Sequence, residues 1–331
     1  MNMNNEKIRI VVAGCGSIGL RHLKNLKRNT AYSLELAALD PSPRAAEEVA
    51  AVGTDIEFLP DWEAVRRWRP EIVIVATPNH LHKQNTLDAL ALGAHVLCEK
   101  PVACSAEDAR IMAEAARRAD RVLGVGQTER FRKAAAEILR MTRAGRLGTL
   151  IGGRAMVGTY NTLLCAKDKR HRQEHFGTIV IDYVHELDLL HAVFGPAVSA
   201  KGYCNSLSKK ELQADPTLAA ALIRYENGEV VSLHLDYVQH PERRVFEIFG
   251  DRGTLVYDFS ADRLEIWDPS GKAPECLTWG NVRDDQFVRE HLDMISAVRN
   301  GTAPLVTADE AAEVLETAEL ILTTLKESVN V

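Results

Sequence analysis

The sequence lacks the features that mark several large classes of protein. Its 331 residues contain no apolar run that approaches the roughly 18 residues of a membrane-spanning helix. The polar N-terminus, Met1 to Lys7, has no apolar core, so we expect no signal peptide. Basic residues number 40 against 46 acidic ones, and a net charge of −6 does not favour nucleic-acid binding. We therefore expect neither a nucleic-acid partner nor association with a membrane.

Paired cysteines are also missing. No two cysteines form a C-x-x-C pair, so the sequence indicates neither a zinc knuckle nor a disulfide framework. Scattered thiols are typical of a reducing compartment, and we expect a cytoplasmic protein. The six cysteines are Cys15, Cys98, Cys104, Cys165, Cys204 and Cys276.

The first part of the chain alternates short apolar runs with helical patterns. A chain of 331 residues is long enough for two domains, and 46% of its residues are hydrophobic, which is enough to fill their cores. Strands that alternate with helices predict a doubly wound parallel sheet, so residues 1–128 are predicted to form a Rossmann domain. The predicted strands are Ile8 to Ala13, Leu34 to Leu39, Ile72 to Ala76, His95 to Leu97 and Val122 to Val125.

The pattern changes after about residue 128, where strand-like runs follow one another directly. Asn227-Gly228 is a strong hairpin signal between two of these runs. Residues 129–331 are therefore predicted to form an α+β domain with a largely antiparallel open sheet. The predicted strands are Leu218 to Tyr225, Glu229 to Tyr237, Val245 to Phe249 and Thr254 to Asp258. The predicted helices are Arg132 to Arg143, Thr178 to Phe194, Asp284 to Arg299 and Thr307 to Lys326.

Apolar residues also alternate along two of these strands. If helices cover only one face of the sheet, the other face is left open, and an open apolar face favours association between copies. We therefore predict a homodimer or homotetramer that forms through this face. The residues assigned to the uncovered face are Tyr225, Leu233, Leu235 and Tyr237.

A glycine-rich loop follows the first predicted strand and precedes a helix. Gly14, Gly16 and Gly19 have the spacing G-x-G-x-x-G, with Ser17 and Ile18 between the last two. The first glycine permits a tight turn, the second lets a pyrophosphate approach the backbone, and the third permits close helix packing. The helix N-terminus then faces the phosphates of a dinucleotide.

The second strand is followed by two residues, Asp40 and Arg44, that influence whether NAD or NADP binds. Asp40 ends that strand 21 residues after Gly19, where an acid binds a ribose 2′-hydroxyl and repels a 2′-phosphate. This predicts NAD as the cofactor. Arg44 lies close enough in sequence to reach a 2′-phosphate, so NADP stays possible.

Two further motifs follow parallel strands and identify a family. Thr77-Pro78-Asn79-His80-Leu81-His82 follows the third strand, and Glu99-Lys100-Pro101 follows the fourth. Open α/β sheets bind ligands at these carboxyl ends. Together with the glycine loop, the motifs resemble the Gfo/Idh/MocA family, named for glucose–fructose oxidoreductase and inositol dehydrogenase. The resemblance covers nearly the whole chain.

The resemblance implies roles for residues in these motifs. The lysine of the E-K-P motif lies beside the nicotinamide and the substrate in that family, and Lys100 matches it. The histidines of the other motif are expected to shape the loop beside the cofactor. The residues expected to bind the cofactor here are Thr77, Pro78, Asn79, His82, Glu99 and Lys100.

The second half of the chain supplies the expected partner of Lys100. The segment from Phe176 to Asp188 resembles the family's glycine-rich lead into the helix that carries the catalytic histidine, here His185. Asp182 precedes it by three residues, which on a continuous helix gives both the same face. This spacing resembles a subgroup linked to amino-sugar and surface-polysaccharide pathways. The family's glycine run is reduced to Gly177.

Several other residues have two open interpretations. Asp182, His185, Asp188 and His191 cluster in sequence, but they do not have the H-E-x-x-H spacing of zinc proteases, and we expect no metal. Arg130 matches a family R-F element and is expected to line the substrate pocket. Arg170 and His171 either contact an anionic or hydroxyl-rich substrate or belong to a solvated loop.

The resemblance implies an oxidoreductase that uses NAD or NADP. It would interconvert a secondary alcohol and a ketone on a sugar, a polyol or a sugar derivative. The derivatives include amino sugars and sugar nucleotides. His185 is expected to act as general base, because histidine titrates near neutrality. Lys100 is expected to stabilise the developing alkoxide, and Asp182 to orient His185. Two alternatives stay open, a non-catalytic NAD-binding regulator and a biliverdin-reductase-like reductase.

Overall fold

The computed structural model describes residues 7–160, 177–206, 216–280, 282 and 284–329. Its contacts divide the chain into two compact units. The first comprises Met1–Phe131 with Arg283–Ala312, and the second comprises Arg132–Val282 with Glu313–Val331. The segment 283–312, which the sequence analysis assigned to the second domain, thus belongs by its contacts to the first unit. The reason is packing, because Met294 and Ile295 are buried in that unit's core.

The first unit contains a six-stranded parallel sheet of order β3-β2-β1-β4-β5-β6, as predicted for a Rossmann domain. Parallel strands between two helical layers are buried on both faces, which explains why they read as unbroken apolar runs. The strands are β1 (Ile8–Ala13), β2 (Leu34–Leu39), β3 (Glu57–Leu59), β4 (Ile72–Val75), β5 (His95–Glu99) and β6 (Leu123–Gly126).

Helices connect these strands, and several begin where a capping residue predicts it. Asp61 accepts a hydrogen bond from the Ala64 backbone and Ser105 from that of Asp108, so both side chains satisfy free N–H groups at helix starts. The helices of this unit are α1 (Ser17–Leu26), α2 (Pro43–Val52), α3 (Trp62–Trp68), α4 (His82–Ala91) and α5 (Ala106–Ala119), with short 3₁₀ helices at Asn79–Leu81 and Thr128–Phe131.

The second unit contains an eight-stranded sheet of order β14-β13-β12-β11-β7-β10-β9-β8. All neighbours pair antiparallel except β7 and β10, so the sheet is largely antiparallel as predicted. The strands are β7 (Leu150–Gly158), β8 (Ala197–Asn205), β9 (Leu218–Tyr225), β10 (Val230–Asp236), β11 (Arg243–Gly250), β12 (Gly253–Asp258), β13 (Arg263–Trp267) and β14 (Glu275–Thr278).

The remaining helices are α6 (Lys133–Arg143), α7 (Thr178–Asp182), α8 (Val184–Phe194), α9 (Asp285–Asn300) and α10 (Ala308–Val329). A capping box begins α10, because Thr307 and Glu310 exchange hydrogen bonds. Among the described residues, no helix combines the length and the apolar character needed to cross a membrane.

Two details of the second unit correct the sequence analysis. The single helix predicted from Thr178 to Phe194 is wrong, because it breaks at Tyr183, whose backbone at φ −102° and ψ 30° leaves the helical region. The inference that Asp182 and His185 share one helical face therefore loses its basis. The Tyr183 ring lies 5.7 Å from the Tyr237 ring, a contact between distant parts of the sequence.

The assignment of the apolar sheet face was also wrong. Tyr225, Leu233, Leu235 and Tyr237 are each at most 3% exposed and belong to the unit's core, together with helical residues such as Leu187. The alternation along the strands is real, but alternation alone does not show which face the helices cover. Exposed apolar side chains lie elsewhere on the sheet, at Tyr203, Leu222 and Val230.

Candidate cofactor and catalytic sites

The glycine loop has the shape that a dinucleotide requires. Gly14 has φ +92°, and a β-carbon there would lie 2.7 Å from the Ala76 carbonyl oxygen. A β-carbon on Gly19 would overlap the Gly14 carbonyl. Gly16 is different, because no described atom lies within 4 Å of the position of its missing side chain. The open side of the loop is thus at the second glycine, directly before α1, where Ser17 and Ile18 are exposed.

Asp40 braces the same loop from the end of β2. Its carboxylate accepts hydrogen bonds from the backbone N–H groups of Cys15 and Ser42, both at 2.9 Å. These bonds fix the acid beside the loop, where a ribose hydroxyl is expected. Burial, with the charges of Asp40 and Glu48, raises the pKa of the Cys15 thiol to about 12, so the thiol stays protonated. Arg44 is exposed on α2.

The two motifs that follow β4 and β5 are joined by one histidine. The ring of His82 is buried, with Nδ1 2.8 Å from the Pro101 carbonyl oxygen and Nε2 2.7 Å from the Thr77 carbonyl oxygen. Asn85, which the sequence analysis did not single out, donates a hydrogen bond to the Thr77 hydroxyl. Pro78 and Asn79 lie between these anchors, at the start of the short 3₁₀ helix. The structure therefore brings the two motifs together at one edge of the sheet.

Glu99 and Lys100 differ in their surroundings. The Lys100 side chain is partly exposed, whereas Glu99 is 9% exposed. One carboxylate oxygen of Glu99 accepts from the Lys100 backbone at 3.0 Å, and the other lies 2.8 Å from His22 Nε2. Burial by itself raises the pKa of Glu99, but His22 and Lys100 outweigh it and hold the pKa below its usual value. Glu99, expected at the cofactor, is thus tied to the interior of the first unit.

A buried cluster continues behind Glu99. His22 Nδ1 lies 2.8 Å from His291 Nε2, and the side chain of Glu290 is 1% exposed beside them. Burial, together with the charges of Glu99 and Asp293, raises the pKa of Glu290 well above its usual value. Burial and the charge of His22 lower the pKa of His291 well below its usual value. Sequence reasoning missed this cluster, because His22 and His291 lie 269 residues apart.

In the second unit, Asp182 ends α7 and His185 lies in the first turn of α8, both partly exposed. The hydroxyl of Tyr237 donates a hydrogen bond to Asp182, which fixes the carboxylate. The next residue after His185, Glu186, is buried and accepts a 2.6 Å hydrogen bond from Arg244. No local pattern in the sequence indicates that Tyr237 or Arg244 contacts this segment, because they lie 55 residues from Asp182 and 58 residues from Glu186.

The remaining predicted residues fall into three groups. Arg130 is 2% exposed, and its guanidinium pairs with Glu310 at 3.6 Å inside the first unit. Asp188 is fully buried, and His191 Nε2 lies 3.2 Å from the Glu313 carboxylate. Arg170 and His171 lie outside the described residues.

A dinucleotide-binding domain of the oxidoreductase class is defined by four features, which are β1, the glycine loop, α1 and Asp40 at the end of β2. Comparison with family models agrees. Residues 8–127 match the oxidoreductase family with an NAD-binding Rossmann fold, and residues 156–331 match the C-terminal α/β domain of the same family. The chain belongs to the Gfo/Idh/MocA oxidoreductase family, and the resemblance inferred from the motifs is confirmed.

Individual relatives are similar over different lengths. A 1,5-anhydro-D-fructose reductase of Ensifer adhaerens is 32% identical over 189 residues, which cover 56% of each chain. The scyllo-inositol 2-dehydrogenase (NAD(+)) of Bacillus subtilis is 24% identical over 94% of this chain and 92% of its own. Among solved structures, levoglucosan dehydrogenase in complex with NADH has a TM-score of 0.87 at 18% identity, covering 98% of both chains. At that identity the likeness shows the fold alone.

Proposed function

We propose that the protein transfers a hydride between a nicotinamide cofactor and the secondary alcohol or ketone of a sugar, a polyol or a sugar derivative. The observation that carries this proposal is the joining of the two family motifs by His82, at the sheet edge that also carries the glycine loop. Family membership supports the chemistry. The two sequence relatives named above support the substrate class, since one is a 1,5-anhydro-D-fructose reductase and the other a scyllo-inositol 2-dehydrogenase.

Each candidate residue has a proposed role. The open glycine loop with Gly14, Gly16, Ser17, Ile18 and Gly19 holds the pyrophosphate, and the motif residues Thr77, Pro78, Asn79 and His82 shape the neighbouring loop. The nicotinamide supplies the redox chemistry. His185 takes the proton of the reacting hydroxyl, and Lys100 hydrogen-bonds the same oxygen as negative charge develops. Asp182, held by Tyr237 at the end of α7, is proposed to orient or charge-balance His185 without sharing a helical face with it.

Substrate recognition is proposed for fewer residues than the sequence indicated. Arg170 and His171 remain candidates for contacting a hydroxyl-rich or anionic substrate. Arg130 is a weaker candidate, because its buried guanidinium already pairs with Glu310.

The substrate class is tested by a turnover screen of polyols, sugars and sugar nucleotides with NAD and NADP. Reduction of cofactor by at least one polyol or sugar supports the proposal. The rivals give different results. A non-catalytic regulator turns over nothing in the screen but binds a partner protein in an NAD-dependent way, and a biliverdin-reductase-like enzyme reduces a tetrapyrrole with NAD(P)H.

The preferred cofactor is proposed to be NAD rather than NADP. Asp40 is fixed by two backbone N–H groups, so its charge cannot easily swing away from a 2′-phosphate. We expect tighter binding of NADH than of NADPH in a fluorescence titration, and a gain of NADPH binding in Asp40→Ser. Equal or tighter NADPH binding by the unmodified protein contradicts this preference.

Self-association is proposed to occur through exposed apolar residues of the second unit's sheet. Tyr203 is 73% exposed, Leu222 56% and Val230 48%, and exposed apolar groups of this size favour an interface. We expect a homodimer or homotetramer in the cytoplasm, where the five cysteines of the described residues would stay free. Light scattering at micromolar concentration measures the mass, and a monomer contradicts the proposal.

A further inference from the structure

The buried cluster behind Glu99 has the composition of a metal site. It contains two imidazoles and one carboxylate, from His22 on α1 and from Glu290 and His291 on α9. One ligand atom of each residue lies within 4.8 Å of the other two. A cation at the centre of such a triangle is about 2.8 Å or less from each atom, so a small inward movement gives the 2.0–2.2 Å bonds of zinc.

The carboxyl group of Glu290 has no other partner in this cluster. Among the described residues, neither carboxylate oxygen of Glu290 has a hydrogen-bond partner, although the side chain is 1% exposed. A buried carboxyl group without a partner is costly, and proteins normally pair such groups or bind a metal through them. His22 and His291 are equally buried, at 0% and 2% exposed.

A carboxylate already supports the ring of His22. Its Nε2 lies 2.8 Å from Glu99, which leaves Nδ1 directed at His291. A histidine that binds a metal through one ring nitrogen commonly donates the other N–H to a carboxylate, which fixes the ring and its tautomer. Glu290 would lose its proton on binding the cation, and its carboxylate together with that of Glu99 would then balance a divalent charge.

We propose that His22, Glu290 and His291 form a binding site for a divalent cation of the zinc type, with Glu99 as the supporting carboxylate. The cation joins α1, which begins at the glycine loop, to α9, whose His291 lies 269 residues further along the chain. Its role is structural, because the site is buried within one unit. This goes beyond the proposed oxidoreductase activity and does not depend on it.

The test measures zinc directly. The chelator-treated full-length protein is incubated with zinc chloride, desalted and assayed by elemental mass spectrometry and by thermal unfolding. We expect about one zinc ion per chain and a higher melting temperature with zinc, because a ligand that binds only the folded state stabilises it. No retained zinc in the unmodified protein overturns the proposal.

Variants separate this site from other zinc-binding groups in the chain. Glu290→Gln and His291→Gln should weaken zinc binding by at least the roughly 10–100-fold typical of losing a supporting residue, and Glu99→Gln by about that amount. His234→Gln is the matched control, since His234 lies in the second unit with 39% side-chain exposure. Equal zinc retention in Glu290→Gln and in the control overturns the proposal.

Diffraction from zinc-loaded crystals of the unmodified protein gives a result that does not depend on how the variants fold. We expect an anomalous peak at the zinc edge among the side chains of His22, Glu290 and His291. Anomalous peaks confined to other positions overturn the assignment even if zinc raises the melting temperature.

Discussion

The two units differ in how directly their sheets follow from the sequence. In the first, each central strand is buried on both faces, so β1 and β4 read as unbroken apolar runs. In the second, strands such as β9 alternate between buried and exposed positions, because only one face lies against helices. Alternation marks a strand well, but it does not identify the covered face. The comparison explains why the first sheet was predicted nearly whole and the second only in part.

The candidate sites of the two units differ in the same way. Those of the first unit lie in short segments directly after parallel strands, so the sequence shows both the residues and their place. Those of the second depend on contacts across the sequence, since Tyr237 reaches Asp182 and Arg244 reaches Glu186 over 55 and 58 residues. A local motif can therefore name His185 without showing what holds its surroundings.

The largest effect is expected at the proposed general base, His185, in the second unit. Loss of a general base typically costs roughly 10²–10⁴ in rate, and we expect this in His185→Ala. NADH binding should change little, because the glycine loop and Asp40 belong to the other unit. Turnover and NADH titration measure the two effects, and His234→Ala serves as control.

Lys100→Ala sharpens the same comparison. We expect reduced turnover and weaker substrate binding, because the oxygen loses its hydrogen-bond donor. If Lys100 and His185 act on one oxygen, the double variant should lose far less than the product of the single losses. Full activity of His185→Ala on the true substrate, or fully multiplicative losses, contradicts the shared role.

The next largest effect is expected on the free energy of unfolding when a buried side chain on the inner face of the second sheet is truncated. Leu233→Ala should lower the free energy of unfolding by about 2–5 kcal/mol, because Leu233 is 3% exposed in the core. Its neighbour Ser232 points to the other face, and Ser232→Ala should change the same free energy by less than about 0.5 kcal/mol. Urea denaturation measures both. If both variants changed the free energy of unfolding by less than about 0.5 kcal/mol, the result would support an uncovered face at Leu233.

A smaller effect is expected for the tyrosine that holds Asp182. Tyr237→Phe removes the hydroxyl that bonds the carboxylate, and should lower the free energy of unfolding by about 1–3 kcal/mol. Tyr225 is a matched control in the same core, because its buried hydroxyl has no hydrogen-bond partner among the described residues. Tyr225→Phe should be neutral or stabilising. Equal losses in denaturation experiments contradict a specific role for the Tyr237 hydroxyl.

Some elements of the second unit were predicted from the sequence and others were not. Four strands of the second sheet were found within two residues of their ends, because turns such as Asn227-Gly228 separate them. β7 was missed, since its two consecutive glycines, Gly152 and Gly153, weaken the strand pattern. The break at Tyr183 was missed because no proline or glycine marks it, and a contact with Tyr237 accompanies it instead.

The sequence by itself determined the family, the parallel sheet, the glycine loop and the positions of Asp40, Lys100 and His185. These features are local, since each depends on a short motif, which follows a strand for the glycine loop, Asp40 and Lys100 and begins a helix for His185. Only the tertiary structure decided which sheet face is covered, that 283–312 belongs to the first unit, and that His22 meets Glu99 and His291. Such pairings join segments distant along the chain, and no local propensity encodes them.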